Sequence, residues 1–438
     1  MKPVIRLFSV RLSSRYVSSQ PQTSQGLRGA AVRRPELDFD YLLDDENRET
    51  IRRDIRDRKG IGDIDRLHEK WNRLQMIMEG EQKVQEEEYA RLWNELYHEA
   101  ATIPNRTHPE APRGPEDKAR VVDILNEGSK RESEGLRTAE NIVKSWRSLF
   151  HPTESCGQRS YAYIGALARL EEAILDYVWS RVLALGFTPI QVSDIVPLDV
   201  GQSCGLLNEG MQYTLSSDPT TCLSGTAEMG ISSSLQGSVF PSDRLPLRFV
   251  GRSRCFRPEI SKLASEAKLY RVHEFNKVEM FTVCSESQSD SELSYLVSVQ
   301  KDILSSLGLH CRVLDMPTEE LGASAYRKYD IEAWMPGRKL FGEVSSASNC
   351  TDFQSRRLGI RYMGSSGRRL CHTCNGTAIA VPRALIALLE TFQDEKRRGN
   401  LFKLPDPIAE RMQRFNEQGE QVREEKIKFQ TAPSFYDS

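Results

Sequence analysis

Residues 256–279 read "FRPEISKLASEAKLYRVHEFNKVE", and the stretch carries charged side chains where a buried strand pair would carry Val and Ile. Side chains of a strand alternate between two faces, so the odd-numbered positions of the second run share one face. Those positions are Arg271, His273, Phe275, Lys277 and Glu279. Arg257 and Glu259 share a face on the first run, and the polar stretch 260–269 predicts a hairpin loop between the two runs.

Two interpretations fit this charged face. The first is an antiparallel edge pair whose solvent side carries charge pairs. The second is a binding surface, because Arg binds phosphate bidentately, an aromatic ring stacks on a base, and a carboxylate holds an ammonium group or a metal ion. The mixture therefore suits a nucleotide together with an amino acid.

Length and composition describe an ordinary globular chain. Its 438 residues allow two or three domains, with 39% hydrophobic and 28% charged residues. The net charge of −2 argues against a uniformly basic nucleic-acid surface, although a local basic patch stays possible. Apolar runs are shorter than the ~20 residues of a membrane span, so we expect no membrane association.

The nine cysteines are scattered and odd in number, which argues against a secreted disulfide framework. Cys371 and Cys374 form the one closely spaced pair, and a lone CxxC without a second pair predicts a structural role.

The N-terminal 35 residues contain many Arg and Ser and no acidic residue, since the first is Glu36. This composition is typical of an organelle transit peptide and predicts cleavage near its end. A disordered basic tail is the alternative.

Apolar spacing predicts a helical arm in residues 36–103. Residues three and four apart form a stripe at Ile64, Leu67, Trp71, Leu74 and Met78, and a similar stripe runs from Tyr89 to Ile103. Two antiparallel helices joined near Gly80 follow, each roughly 30 Å long. The arm's cations are interleaved with Glu, which favours a solvated face over an RNA-binding face; they are Arg66, Lys70, Arg73, Lys83 and Arg91.

Beyond the arm, we expect a Pro-rich linker at 104–119, a main domain at 120–400 and a peripheral tail at 401–438. A helix is predicted from 159 to 185, ending at Gly186, with one apolar face formed by Ile164, Leu167, Leu170, Ile174 and Val178. Strand-like runs follow as "LPLRFVG", "YRVHEFNKVEMFTV", "LHCRVLDMP", "YRKYDIEAWM" and "FGEVSSASNC", with helices near 293–307 and 383–393. The pattern predicts an α+β fold with a largely antiparallel sheet.

Four segments, in order, resemble the motifs of the seryl-tRNA synthetase family, in its animal mitochondrial form. They are "GTAEMG" at 225–230, the opening hairpin, "FGEVSSASNCTDFQSRR" at 341–357 and "HTCNGTAIAVPRALIALLE" at 372–390. The hairpin resembles the second class II signature and "GTAIAVPRALIALLE" the third, and the resemblance extends from about residue 103 to 393. It implies a class II synthetase antiparallel sheet flanked by helices, preceded by the short helical arm.

The resemblance also implies an activity and its partners. Serine and ATP would form seryl-adenylate, and the seryl group would pass to tRNA(Ser). We therefore expect ATP, L-serine, tRNA(Ser) and Mg²⁺ as partners, a homodimer, and a mitochondrial matrix enzyme. Such chemistry needs positioning and charge cancellation at phosphate rather than a Ser, Cys or His nucleophile.

The resemblance assigns roles to residues of this sequence. Arg257 would stabilise the α-phosphate and Arg383 the γ-phosphate, and these two are the expected catalytic residues. ATP would contact Arg257, Pro258, Glu259, Val272, Phe275, Glu343, Val344, Ser345, Ser346 and Arg383. Phe275 would stack on adenine, while Glu343 and Ser346 would hold Mg²⁺. Serine would contact Thr226, Ala227, Glu228, Glu279, Asn375 and Thr377.

Each residue also has a simpler interpretation when it is taken alone. Thr226 and Thr377 are of types common at turns and caps, and Arg383 could be a surface helix cation. A non-catalytic paralogue that binds RNA and an AMP-forming amide ligase are the alternative functions.

Three features depart from the family pattern. Ser193 stands where the first signature has proline, which bears on the dimer interface. Ala267 and Lys268 replace Arg-Gly, which bears on contacts to the tRNA acceptor stem. The arm is shorter than in bacterial relatives.

Overall fold

The computed structural model describes residues 35–80, 84–132, 134–144, 146, 149–150, 157, 159–207, 210–259, 268–393, 401–417 and 428–429. Residues 1–34 of the predicted transit peptide, Lys83 and Ala267 lie outside these residues. The chain divides into two compact units. The first extends to Arg56 and resumes at Gly60–Ile103, and the second comprises Asp57–Lys59 and the chain from Pro104.

The first unit is helical. Its helices are α1 (Phe39–Leu42), α2 (Asp45–Asp57, whose last residue belongs to the second unit), α3 (Ile64–Met78) and α4 (Glu86–Thr102). The Asp63 side chain caps α3 by accepting the backbone amides of Asp65 and Arg66 at 3.0 Å. The two predicted helices are confirmed as α3 and α4, but α2 was not predicted.

Ion pairs show that α3 and α4 are antiparallel, because later residues of α3 pair with earlier residues of α4. The pairs are Arg66 with Glu99, Lys70 with Glu95, and Arg73 with Glu88. With 15 and 17 residues, the helices are about 22 and 25 Å long, shorter than the 30 Å expected.

An eight-stranded sheet organises the second unit. The strands are β1 (Arg120–Leu125), β2 (Thr188–Pro189), β3 (Leu247–Phe256), β4 (Glu274–Cys284), β5 (Cys311–Asp315), β6 (Arg327–Met335), β7 (Leu340–Thr351) and β8 (His372–Ala380). Their order is β1-β5-β6-β7-β8-β4-β3-β2. All neighbours are antiparallel except β2 and β3, which confirms the predicted α+β fold and the hairpin of β3 with β4. β1 and β8 were not predicted as strands.

Helices cover this sheet. They are α5 (Ala139–Lys144), α6 (Ala166–Ala184), α7 (Leu198–Ser203), α8 (Ala227–Ser234), α9 (Ser289–Ser306), α10 (Phe353–Leu358), α11 (Val381–Phe392) and α12 (Asp406–Glu417). The helices α6, α9 and α11 bury their apolar sides in one large core with β4 and β8. On β4, Phe281 and Val283 face the opposite core, which includes α8 residues. From Lys277 to Val283, the odd positions of β4 therefore point to the α8 side of the sheet, whereas Phe275 packs against the large core.

The predicted helix at 159–185 begins later than expected, at Ala166. Leu167, Leu170, Ile174 and Val178 are fully buried as predicted, but Ile164 precedes the helix and is 54% exposed. Gly186 follows the helix with φ at +85°, a left-handed conformation that suits glycine.

Shorter strands complete the unit. They pair Leu149–Phe150 with Ala162–Tyr163, Ile195–Pro197 and Thr214–Leu215 with Asp218–Leu223, Val239–Pro241 and Gly367–Leu370 with Arg361–Gly364, and Leu401–Phe402 with Lys428–Phe429. Within the described ranges, no helix combines the length and the apolar composition that crossing a bilayer requires.

Candidate active site

Four adjacent strands, β7, β8, β4 and β3, carry most of the predicted site residues. Their positions are Glu343, Val344, Ser345 and Ser346 on β7, Asn375 and Thr377 on β8, Phe275 and Glu279 on β4, and Arg257 directly after β3. The register shifts at Val278/Glu279 and at Asn349/Thr351. Such bulges often lie beside active sites, where they redirect side chains.

A buried polar cluster joins β4, β8 and the start of α8. Glu279 lies opposite Thr377 in the sheet, and the Thr377 hydroxyl donates to the Glu279 carboxylate at 3.1 Å. The Lys277 ammonium forms an ion pair with Glu279 and donates to the hydroxyls of Thr226 at 2.9 Å and Thr377 at 3.3 Å. Lys277 and Glu279 are only 5% and 2% exposed, so water screens this cluster little.

Thr226 holds its position as the N-cap of α8, where its hydroxyl accepts the Glu228 amide at 3.4 Å. Ala227, the first residue of α8, is fully buried in the neighbouring apolar core. A serine contact at Ala227 would therefore involve its backbone.

Glu228 is half-buried and accepts two side-chain amides, from Gln354 at 2.5 Å and Asn375 at 2.7 Å. Burial, reinforced by the nearby Glu279 carboxylate, raises the pKa of Glu228 to about 7. The hydrogen bonds from the two amides and the charge of Lys277 lower this pKa, but by less than burial and Glu279 raise it. This carboxyl would become more acidic if a cation entered its surroundings.

Arg257 and Phe275 combine a charge with an aromatic face. Arg257 is exposed, and its guanidinium carbon lies 5.4 Å from the centre of the Phe275 ring. Its backbone amide donates to His273 O at 2.8 Å, and His273 Nδ1 lies 2.8 Å from the Tyr213 hydroxyl. The hairpin ends are therefore fixed while the guanidinium stays open to solvent.

Glu259 has a left-handed backbone with φ at +42°, and its carboxylate pairs with Arg271 at 3.4 Å. A non-glycine residue in this conformation is strained, and such strain is concentrated at functional sites. Pro258 beside it is half-buried.

Arg383 and Glu343 form a second charged centre. Arg383 lies in the first turn of α11, where Pro382 occupies an N-terminal helical position as expected. Its Nε donates to Tyr270 O at 3.2 Å. Burial alone would raise the pKa of Glu343, but the Lys328 ammonium and the guanidinium groups of Arg383 and Arg257 hold it well below its usual range. Glu343 is therefore ionised at neutral pH.

The other residues predicted to contact ATP in this region differ in burial. Ser346 is half-buried, whereas Val344, Ser345 and Val272 are almost fully buried. The Ser345 hydroxyl donates to Thr377 O, which leaves the backbone as the part of this segment that a nucleotide could reach.

Three residues near the site were not assigned roles from the sequence. Lys277 was placed on the correct face but given no function, although its place on the odd positions of β4 was a usable signal. Gln354 bridges Glu228 and Thr373, and Lys328 pairs with Asp330 at 2.7 Å near Glu343. No sequence signal distinguished these two from ordinary polar residues.

The departures from the family pattern have local structural explanations. Ser193 is exposed, and its hydroxyl donates to Ile195 O at 2.8 Å and accepts the Ile195 amide at 3.2 Å. A hydrogen-bonded turn thus replaces the rigidity of a proline before the strand at 195–197. Lys268 begins a short 3-10 turn that ends at Tyr270.

The close cysteine pair has the structural environment that was predicted. Cys371 and Cys374 are free thiols, both fully buried. Burial raises the pKa of Cys371 to about 12, so its thiol stays protonated. Among the described residues, no group of three or more His, Cys, Asp and Glu side chains could hold a metal ion.

Sequence comparison places this chain among named proteins. Residues 213–392 match the class II core domain family of tRNA synthetases for G, H, P, S and T. The chain is 43% identical over 317 residues to the mitochondrial serine–tRNA ligase of Mus musculus, an alignment that covers 70% of this chain and 61% of the mouse protein. It is 37% identical over 343 residues to the mitochondrial serine–tRNA ligase of Schizosaccharomyces pombe, covering 75% of this chain and 71% of that protein.

Comparison with solved structures also finds seryl-tRNA synthetases. The seryl-tRNA synthetase of Pyrococcus horikoshii complexed with ATP superposes with a TM-score of 0.73 at 25% identity, over 86% of this chain and 98% of that one. The cytoplasmic serine–tRNA ligase of Naegleria fowleri in complex with AMP gives the same TM-score at 24% identity, which supports the fold.

Proposed function

Because this chain belongs to the serine–tRNA ligase family of class II synthetases, we propose that it activates L-serine with ATP and transfers the seryl group to tRNA(Ser). One observation carries the proposal: a single region of the sheet holds a buried polar cluster around Glu279 and two guanidinium groups, Arg257 and Arg383. Such a cluster suits a small polar amino acid, and the guanidinium groups suit a polyphosphate.

In the first step, a carboxylate oxygen of serine attacks the α-phosphorus of ATP and pyrophosphate leaves with the bridging oxygen. Arg257 neutralises charge that develops on the α-phosphate, and Phe275 gives the adenine ring a flat apolar surface. Arg383 binds the γ-phosphate, helped by the free amides at the start of α11. The protein contributes orientation and charge stabilisation and supplies no nucleophile.

In the second step, the terminal ribose hydroxyl of the tRNA attacks the carbonyl carbon of seryl-adenylate, and AMP leaves. The serine must stay in place between the two steps. Its ammonium group would lie against the carboxylates of Glu228 and Glu279. The hydroxyls of Thr226 and Thr377 would contact other parts of the bound serine, and the amide of Asn375 would hold Glu228 in place.

Glu343 and Ser346 fit Mg²⁺ that arrives with ATP. The lowered pKa of Glu343 keeps its carboxylate ionised, and the half-buried Ser346 offers a hydroxyl oxygen, so both are hard oxygen donors. Two protein ligands with phosphate oxygens and water suit Mg²⁺, which seldom uses an all-protein site. When bound, Mg²⁺ would neutralise negative charge on the phosphates.

Dimerisation is part of the proposal. Ile164, Leu185 and Ile195 are 54%, 41% and 51% exposed, and they flank α6 and the turn at Ser193. We propose that these side chains belong to one apolar patch covered by a second copy of the chain, because contiguous exposed apolar patches mark protein–protein interfaces. Sedimentation equilibrium should give a mass near twice 49.9 kDa, and a monomer would contradict this part.

Mitochondrial location follows from the named relatives and from the composition of residues 1–35. We place the enzyme in the matrix, where mitochondrial translation occurs. A fluorescent reporter fused behind residues 1–35 should enter mitochondria, and a cytosolic reporter would contradict the location.

Serine-dependent ATP–pyrophosphate exchange tests the activity. The chain without residues 1–34 should exchange pyrophosphate only with serine present, and should then charge mitochondrial tRNA(Ser). Binding of tRNA without exchange would support the non-catalytic paralogue. Exchange with transfer to a small amine rather than to tRNA would support the amide ligase.

A further inference from the structure

We propose that Lys277 is a positioning residue that determines which hydroxyls of the pocket donate hydrogen bonds to the amino acid and which accept them. The inference rests on the proposed function. In it, Thr226 donates to an oxygen of the substrate, and Thr377 accepts from the substrate. Lys277 itself does not touch the substrate.

The three N–H bonds of the Lys277 ammonium match three acceptors. These are the Thr226 hydroxyl at 2.9 Å, the Thr377 hydroxyl at 3.3 Å and the Glu279 carboxylate. An ammonium group has three donors and no acceptor, so all its hydrogen-bonding capacity is used within the protein. The 5% exposure of Lys277 keeps water from competing.

Thr377 is fixed as an acceptor toward the substrate. A hydroxyl has one proton and two lone pairs. The Thr377 proton goes to Glu279 at 3.1 Å, and one lone pair accepts from Lys277. The capacity that remains is one lone pair, which can only receive a proton-bearing group such as the serine hydroxyl.

Thr226 is instead fixed as a hydrogen-bond donor toward the substrate. Its oxygen accepts from Lys277 at 2.9 Å and from the Glu228 amide at 3.4 Å, so both lone pairs are used. Its own proton has no acceptor within the described part of the chain. This proton therefore remains to be donated to an oxygen of the bound amino acid.

The arrangement gives a specific reason for selecting serine. The pocket side formed by Thr377 and Glu279 presents acceptors, so a substrate side chain must bring its own proton. Alanine would leave a buried acceptor without a partner, and such losses can reach discrimination of about 10⁴ without an editing site. Lys277 supports this discrimination by occupying one lone pair of Thr377 while Glu279 accepts the Thr377 proton, so the hydroxyl keeps an acceptor toward the substrate.

Lys277→Met tests the idea through serine and alanine as separate substrates. In pyrophosphate exchange, we expect kcat/KM for serine to fall about a hundredfold, chiefly through KM, because two hydroxyls lose their fixed orientation. Alanine lacks the hydroxyl that contacts Thr377 but keeps carboxylate oxygens for Thr226, so its kcat/KM should fall less, by about tenfold. The KM for ATP should stay unchanged. Equal losses for serine, alanine and ATP would mean that Lys277 only supports the fold.

A double-mutant cycle with Thr377→Val identifies the route of the effect. If Lys277 acts through Thr377, the variant carrying both changes should lose little more serine preference than Thr377→Val alone. Losses that multiply would show independent roles and would overturn the inference.

Two further variants guard against misfolding and unspecific effects. Lys277→Met leaves the buried Glu279 without its cation, so Lys277→Arg is measured beside it. Arginine keeps the charge, but its planar fork cannot direct three donors as an ammonium does, so the serine-specific loss should persist. Lys301→Met, which removes a lysine paired with Asp123 outside the pocket, should behave as wild type.

The wild-type chain separates the two hypotheses. Normal exchange by the wild type with unchanged serine preference in the Lys277 variants overturns the positioning role alone. Absence of serine-dependent exchange in the wild type, with calorimetry detecting no serine binding, overturns the proposed function and this inference together.

Discussion

Arg383 holds Glu343 through two contacts at once. Its Nη1 lies 3.3 Å from the Glu343 carboxylate and 3.1 Å from the backbone oxygen of the same residue. The guanidinium carbon also lies 4.8 Å from the centre of the Tyr270 ring. The residue proposed for the γ-phosphate thus orients the residue proposed for the metal ion, so phosphate and metal binding should depend on each other.

Glu343→Gln should weaken the use of Mg·ATP. A neutral amide is a poorer Mg²⁺ ligand than a carboxylate, so we expect exchange at limiting Mg²⁺ to fall at least about tenfold, with partial recovery as Mg²⁺ is raised. Titration of exchange with Mg²⁺ measures this. The control is Glu172→Gln, which breaks the exposed pair with Arg252 and should leave the titration unchanged. An unaltered titration in Glu343→Gln would remove Glu343 from the proposed metal site.

Arg257→Ala should lower adenylate formation by about 10² to 10³, the usual effect of losing one preorganised transition-state contact. The fold should survive, because Arg257 is exposed and its side-chain hydrogen bond to Gly225 O is long, at 3.5 Å. Single-turnover formation of seryl-adenylate is the measurement, with a thermal melt to establish folding. The control is Arg252→Ala, which replaces an exposed arginine of β3. If Arg257→Ala were as active as this control, Arg257 would be a surface residue without a role in catalysis.

Serine activation should depend on the ionisation of Glu228. The pKa of this carboxyl is raised to about 7, so it is protonated below that pH and cannot attract the serine ammonium. We expect kcat/KM for serine to fall about tenfold per pH unit below 7 and to level off above it. Exchange rates from about pH 5.5 to 8.5 at low serine measure this decrease in kcat/KM at acidic pH. Glu228→Gln should abolish this decrease, and a decrease that persists in this variant must come from another titrating group.

The three cations of α3 provide a test of tRNA binding. Replacing Arg66, Lys70 and Arg73 with Ala should weaken tRNA charging and flatten its salt dependence, since each phosphate contact contributes about 0.7 to 0.9 to the salt slope. Serine-dependent exchange should stay normal. Each cation is paired with a glutamate of α4, so RNA phosphates would have to compete with these carboxylates.

Charging that keeps its rate and salt slope in this variant would show that the pairs serve the helical hairpin alone. Each of these surface pairs has at least one partner open to solvent and contributes about 1 kcal/mol to stability, so the arm should remain folded. Replacing Glu88, Glu95 and Glu99 with Gln is the matched variant. It frees the cations and should strengthen tRNA binding if they contact RNA.

Much of the fold could be predicted from sequence because its elements have clear periodicity. The stripe from Ile64 to Met78 coincides with α3, and the predicted strand runs overlap β3 to β7. Helix α2 was missed because its charged sequence has only Ile51 and Ile55 as apolar residues. β1 was missed because it lies at the sheet edge with Val121 and Val122 both exposed, which removes the alternation.

The sequence could suggest residues of the candidate site, but it could not predict which of them contact each other. Alternation placed Lys277 and Glu279 on one face, as the structure has them. That Lys277 reaches Thr226 depends on how α8 packs on β3 and β4, and such a contact between residues 51 positions apart has no local signal. The roles themselves came from resemblance and stay predictions until the variants are measured.

The short segment Asp57–Lys59 belongs to the second unit although the chain on both sides belongs to the first. Arg58 is 4% exposed and donates to the carbonyl oxygens of Gly322 at 3.1 Å and Arg106 at 2.8 Å, and to the Thr107 hydroxyl. A recombinant fragment that starts at Pro104, the obvious place to cut, would lose this buried guanidinium and its hydrogen bonds to these acceptors. Anyone who prepares the second unit alone should therefore expect poor yield and aggregation from such a truncation, and should begin the fragment upstream of residue 57.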